Sequence, residues 1–197
     1  MTSEQVFVAF VALVALQRVA ELRLSRRNER WLRERGAQEH APGHFRAMQL
    51  LHTLWFVSSI LEVTLLRPLF QTWLAVPAAL CFGAGQCLRY AAIRSLGTRW
   101  SVRIWTLPGA PPVARGVYRY LRHPNYLGVV LEIAALPLIH SAWRTALLFS
   151  VANAALLVVR IRKEEQALSG NGGYDESLGP LPRLWPSFRG VRAGGSA

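Results

Sequence analysis

Two short stretches of the chain hold the residue types that chemistry needs. The first, Tyr118-Arg119-Tyr120-Leu121-Arg122-His123-Pro124-Asn125-Tyr126-Leu127-Gly128, gathers aromatic, basic and imidazole side chains around a proline. Pro124 suits the first turn of a helix, where its missing N–H is no loss. The free N–H groups and positive dipole end of that helix can receive a carboxylate or another anion. Tyr118 and Tyr126 can stack on a flat ring, and Gly128 lets another group pack close to the helix. The second stretch is Arg160-Ile161-Arg162-Lys163-Glu164-Glu165, in which Arg160 and Glu164 sit four apart and so share a helix face. A guanidinium there can hold an anionic oxygen of a substrate. Each stretch also has a plainer reading. The first is then a helix start anchored by interfacial tyrosines and arginines, and the second an ion pair at a helix end. Taken one at a time, the plainer readings stand ahead.

Other polar residues fall within apolar runs. Glu21, Glu62 and Glu132 do so, where a charge is costly unless paired or wet. Glu132 ranks first as a substrate contact because it lies one and a half turns beyond Tyr126. Arg18 can pair with Glu21 at helical spacing, which gives that pair a structural explanation. His52 faces a bundle cavity, where it can meet the substrate, or a neighbouring helix. His40 and His44 are four apart but no third ligand follows, so no metal is expected. Cys81 and Cys87 lie about 9 Å apart along a helix and are expected to be free. No glycine fingerprint of a dinucleotide-binding fold is present.

The elements that must position these residues are membrane helices. The chain is 52% hydrophobic and 17% charged, yet carries a net charge of +12. That combination is foreign to soluble domains, and the apolar residues are collected into five blocks near the ~20 residues that span a bilayer. They run from about Gln5 to Leu24, Ala47 to Leu66, Thr72 to Ile93, Pro124 to His140 and Trp143 to Ile161, the last two forming a tight antiparallel hairpin. The first block has no basic segment before it and reads as a retained helix rather than a cleaved signal. Of the 23 basic residues only Lys163 is a lysine. The arginines cluster beside the apolar blocks, where anionic lipid headgroups meet them, which argues against nucleic acid as the partner. They fall between the first and second blocks, between the third and fourth, and after the fifth. Five spans with the N-terminus outside put all three clusters on the cytoplasmic side. The expected fold is an all-α polytopic bundle of about five spans, one domain over residues 1–197. Residues 1–93 form its acceptor side. Residues 94–197 hold the cofactor-binding connector (Gly97 to Arg122), the hairpin, a glycine break at Gly170 to Gly173 and a tail punctuated by Pro180, Pro182 and Pro186.

Taken together, the polar connector, Arg122-His123-Pro124-x-Tyr126-x-Gly128, the hairpin and Arg160-x-x-x-Glu164-Glu165 resemble the isoprenylcysteine carboxyl methyltransferase family over roughly Leu96 to Pro186. The N-terminal half contributes Arg18-Val19-Ala20-Glu21-Leu22, Ser25-Arg26-Arg27-Asn28, Arg35-Gly36-Ala37-Gln38-Glu39, Gly43-His44-Phe45 and Leu51-His52. With these, the chain resembles a bacterial branch that O-methylates alkylpyrones or alkylresorcinols and is linked to type III polyketide synthases. It departs from that branch at Phe45, where a tyrosine is expected, and at Arg46-Ala47, where a proline should follow. The resemblance implies an S-adenosylmethionine-dependent methyltransferase of the bacterial inner membrane with a lipophilic acceptor. By it, His123, Pro124, Tyr126 and Gly128 line the cofactor site, with Tyr118 and Glu164 or Glu165 nearby, and Arg160 orients the acceptor oxygen. A prenylcysteine-type carboxylate is the alternative acceptor. A nicotinamide-dependent membrane reductase of sterol-reductase type and a non-catalytic scaffold are the alternative functions.

Overall fold

The structure is a computed structural model that describes residues 1–169 and 171–185. Gly170 of the glycine break, and Pro186 and Arg189 of the tail, lie outside the described residues. Helix α1 (Ser3–Arg33) opens on a reciprocal cap, Gln5 N–H donating to Thr2 Oγ1 at 3.2 Å and Thr2 N–H to Gln5 Oε1 at 3.0 Å. Its 31 residues make it about 46 Å long. It therefore overruns the expected end at Leu24 and carries Arg26, Arg27, Arg30 and Arg33 on the helix instead of in a loop. Arg, Glu and Leu are good helix formers, and nothing stops the helix before Gly36, which sits in the left-handed region at φ +74°.

Helix α2 (Pro42–Leu61) begins on Pro42 and runs on through a π-helical turn, Glu62–Leu66. Helix α3 (Thr72–Leu96) follows, then α4 (Pro124–Leu138), α5 (Trp143–Leu168) and the single turn α6 (Tyr174–Ser177). All five apolar blocks are thus helical. Among the described residues, three helices are long and apolar enough to cross a membrane: Ser3–Arg33, Pro42–Leu66 and Trp143–Leu168. Helix α3 has the length, but Gln86, Arg89 and Arg94 dilute its apolar character. Helix α4 has 15 residues and reaches about 22 Å, short of the ~30 Å hydrocarbon core. Nine of those residues are buried, so α4 is the central helix of the bundle.

The expectation of an all-α chain needs one correction. Strands β1 (Gln38–His40) and β2 (Ile104–Thr106) pair antiparallel, with Glu39 opposite Trp105. They fasten the α1–α2 loop to the connector, reinforced by Arg103 Nη1–Glu39 at 2.7 Å and His40 Nε2 on Thr106 Oγ1 at 2.8 Å. The tail is fastened to the same end, Arg122 N–H donating to Pro182 O and His123 N–H to Arg183 O, each at 3.0 Å. The three arginine-rich segments therefore meet at one end of the bundle. Among the described residues no group of three or more His, Cys, Asp or Glu is arranged for a metal ion, and Cys81 and Cys87 are free.

At the opposite end the α4–α5 turn is closed by Glu62. Its carboxylate accepts the N–H groups of Arg144 (3.2 Å) and Thr145 (2.7 Å) and the Thr145 hydroxyl (2.6 Å). The π-turn brings this side chain from another helix onto the N-terminus of α5, where free donors and the dipole favour a negative charge. Glu62 is thus the cap of α5. Glu62→Ala is expected to destabilise the protein by about 2 kcal/mol, because charge-assisted hydrogen bonds are lost and buried donors are orphaned. Glu62→Gln, which keeps an acceptor oxygen, is expected to lose less. Thermal unfolding in detergent compares the two, and equal stability of Glu62→Ala and the parent would remove the cap from the account.

Candidate functional site

Pro124 starts α4 and leaves His123 as its N-cap, buried to 3% exposure and pinned through its backbone by the tail. One helical turn on, the ring of Tyr126 stacks on the imidazole with centroids 5.4 Å apart. The Tyr126 hydroxyl is the junction between the two sequence clusters. It donates to the Glu164 carboxylate and accepts the Arg160 Nε–H at 2.7 Å. Arg160 and Glu164, one turn apart on α5, are joined through this hydroxyl 34 and 38 residues away in sequence.

Arg160 is held on its other side as well. Its Nη2 donates to the Val102 carbonyl at 2.6 Å. The Val102 N–H donates to Ser25 Oγ at 3.0 Å, and Ser25 donates to Glu29 at 2.7 Å. Ser101 donates to the same Glu29 oxygen at 3.0 Å. A continuous chain of hydrogen bonds thus runs from α1 through the connector to Arg160, and Ser25 at its start is fully buried. With Nε and one Nη2 hydrogen engaged, three guanidinium hydrogens remain.

Two cavities meet at this junction. The larger, about 490 Å³, lies among α1, α2, α3 and α4 and is mostly apolar, with Val19, Leu22, Phe56 and Val129 in its walls. Tyr126, Arg160 and His52 line it. The Nδ1–H of His52 donates to the Met48 carbonyl at 2.8 Å, which leaves Nε2 as an acceptor. The smaller cavity, about 160 Å³, lies under the connector between Trp105, Asn171 and Tyr174. Tyr118, Arg122, His123 and Glu164 line both and form the shared wall. Burial, followed by the Glu164 charge, pushes the Tyr118 hydroxyl well above its ordinary range, so it stays protonated as a donor. The Tyr174 hydroxyl is pushed up to about 12, first by burial and then by Glu164 and Glu165.

The structure separates the residues singled out from the sequence into groups. Tyr118, His123 and Glu164 come together at the shared wall, while Tyr126, Arg160 and His52 line the larger cavity alone. Glu165 lines neither cavity. Its oxygens are taken by Arg183 (2.7 Å), Arg122 (3.0 Å) and His123 (3.1 Å), so it clamps the tail to α4 and α5. Pro124 and Gly128 also line neither. The close approach expected at Gly128 is made by α3, since a Cβ there would stand 2.5 Å from Arg89 Cγ and 2.8 Å from the Gly85 carbonyl oxygen. Glu132 lies outside the cavity wall and binds Arg18 at 2.8 Å, while Arg18 also pairs with Glu21 at 2.6 Å as its spacing implied. Sequence reasoning missed Arg122, Trp105, Tyr174 and the Ser25–Glu29 chain. Arg122 was legible as the neighbour of His123, whereas the others depend on which loop folds over which helix.

A sequence model of the isoprenylcysteine carboxyl methyltransferase (ICMT) family matches residues 77–170, which hold most of α3, the connector, α4 and α5. A Bacillus subtilis (strain 168) protein, the uncharacterised YpbQ, is 40% identical over 162 residues, covering 82% of this chain and 96% of the relative. An uncharacterised Haemophilus influenzae protein is 29% identical over 163 residues, covering 82% of this chain and 94% of the relative. Residues 77–170 thus carry the match to the isoprenylcysteine carboxyl methyltransferase family, and over most of its length the chain belongs with the uncharacterised YpbQ protein.

Proposed function

We propose that the protein is an S-adenosylmethionine-dependent O-methyltransferase whose acceptor is a lipophilic molecule dissolved in the bilayer, an alkylpyrone or alkylresorcinol-type polyketide. One observation carries this reading. A mostly apolar cavity among the helices ends on Tyr126 and Arg160, beside Glu164 in the wall it shares with an aromatic cavity under the connector. The residues of the smaller cavity fit the cofactor. Trp105 Nε1–H is buried and has no hydrogen-bond partner among the described residues, a donor free for a ring nitrogen. Tyr118, Tyr174 and Trp105 offer flat faces, and Glu164 offers a negative charge to a sulfonium. When bound, S-adenosylmethionine supplies a methyl group activated by that sulfonium.

The chain's own residues then position the acceptor. Arg160 orients the acceptor oxygen with its remaining hydrogens, and alignment of two reactants supplies much of the rate of an in-line displacement. A carboxylate or an acidic enol arrives ionised and needs no base. A resorcinol hydroxyl, with a pKa near ~10 like that of tyrosine, passes its proton to the Tyr126 oxygen as Tyr126 passes its own to Glu164. The apolar walls keep water from the acceptor. The arginine-rich end faces the cytoplasm of a bacterial cell, with the N-terminus outside, a placement supported by the clustering of basic segments at one end. A link to a type III polyketide synthase follows from the acceptor. A second reading, methylation of a prenylcysteine-type carboxylate, is favoured by the family's description and by Arg160, whose fork matches a carboxylate.

Calorimetry of S-adenosylmethionine and S-adenosylhomocysteine with the detergent-purified protein tests the class. Saturable binding of both is expected, weakened at least about tenfold in His123→Ala by loss of a hydrogen-bonding side chain from the shared wall. Absence of binding by a folded protein would replace this reading with a membrane reductase or a scaffold.

A further inference from the structure

The largest polar feature that methyl transfer leaves unused is a quartet of charges inside the bundle. Arg18 and Glu21 come from α1, Arg89 from α3 and Glu132 from α4. Arg18 binds Glu21 at 2.6 Å and Glu132 at 2.8 Å, and Arg89 binds Glu21. Arg89 is 7% and Glu132 3% exposed. Arg89 Nε and Glu132 Oε1 face each other at 3.4 Å, and neither makes a hydrogen bond. Arg89 reaches this position along the face of α4 that Gly128 leaves bare.

Joining three helices does not need four charges. Apolar side chains of the same volume do so as well or better, since desolvating a buried pair consumes most of its attraction. The quartet, however, is not sealed within the packing. Arg18, Glu21 and Arg89 line the same cavity as Tyr126 and Arg160. That cavity therefore has two polar regions separated by apolar wall. Six residues of α4, about 9 Å of helix, separate Tyr126 from Glu132, and Arg89 passes Gly128 between them. The two arginines and two glutamates cancel in charge. The quartet is thus built to donate and accept hydrogen bonds with a neutral group rather than to recruit an ion.

We infer that Arg18, Glu21 and Arg89, held in place by the buried Glu132 behind them, form a second recognition subsite of the larger cavity, taking an uncharged oxygen of the acceptor other than the one that is methylated. The ligand class is a lipid-soluble ring that carries two oxygen functions, with one at the Tyr126–Arg160–Glu164 junction and the other, a hydroxyl or carbonyl, at the quartet. The assignment rests on the methyltransferase reading above. The quartet sets how deep the ring enters, and so which oxygen meets the junction.

The test compares methylation of a 5-alkylresorcinol with that of a 3-alkylphenol of the same chain length, which lacks the second oxygen. The wild type is expected to prefer the resorcinol by roughly 10–100-fold in kcat/KM, as a site built to bond a hydroxyl rejects its deletion. The double variant Arg18→Met/Glu21→Leu removes one whole ion pair and leaves no unpaired charge. It is expected to lose most of that preference and to turn over the alkylphenol within about threefold of the wild type. The complementary variant Arg89→Met/Glu132→Leu is expected to behave alike and serves if the first fails to fold. Unchanged preference in a folded double variant overturns the subsite, as does a wild type that binds cofactor but treats both acceptors alike. A wild type that binds no S-adenosylmethionine overturns the methyltransferase reading instead.

Discussion

Replacing Arg160 by methionine is expected to lower kcat/KM for a long-chain alkylresorcinol by about 10²–10³-fold, the usual consequence of losing a fixed donor at the reacting oxygen. Affinity for S-adenosylmethionine is expected to change by less than about threefold, because Arg160 lines the larger cavity and not the smaller one. The effect follows from how completely the side chain is fixed. Its Nε is spent on Tyr126 and its Nη2 on Val102, at 2.7 and 2.6 Å, so the guanidinium is fixed in orientation and three hydrogens remain for the acceptor oxygen. Arg160→Lys keeps the charge but not the fork, and it is expected to recover only part of the loss. Initial rates of methyl incorporation, with calorimetry alongside, separate the two quantities. Full activity in Arg160→Met would show that the acceptor oxygen is held elsewhere.

Gly128→Ala should cost about 3 kcal/mol of stability, at the upper end of the range for overpacking a tight core. The added methyl would stand 2.8 Å from the Gly85 carbonyl oxygen, which is backbone, and 2.5 Å from Arg89 Cγ, close to the root of that side chain. Neither neighbour can rotate away. Helices α3 and α4 would have to part, and Arg89 would be drawn from Glu21 and Glu132. A fall in melting temperature of about 6–12 °C in detergent is the expected reading for a chain of this size. An unchanged melting temperature together with lost cofactor binding would return Gly128 to the cofactor site that its sequence motif suggested.

The residues themselves determined the helical character of the chain, because five apolar blocks of near-spanning length have no other way to satisfy their backbone in lipid. They also determined that the basic segments gather at one end, and that Arg18 and Glu21 pair, since helical periodicity fixes which side chains share a face. The motif around His123 and the Arg160–Glu164 spacing pointed to two stretches that the fold brings into contact. What periodicity cannot supply is register between helices, which depends on where small and large residues let two surfaces interlock. Only the tertiary structure could therefore join Tyr126 to both Arg160 and Glu164. The same limit hid the reach of Ser25 to Val102, the role of Glu62 as the cap of α5, and the place of Gly128 at a helix crossing. Glu165 shows the limit most plainly. It is adjacent to Glu164 in sequence, but the 100° step of the helix turns it onto Arg122, His123 and Arg183, so that of the two glutamates Glu164 faces both cavities and Glu165 neither.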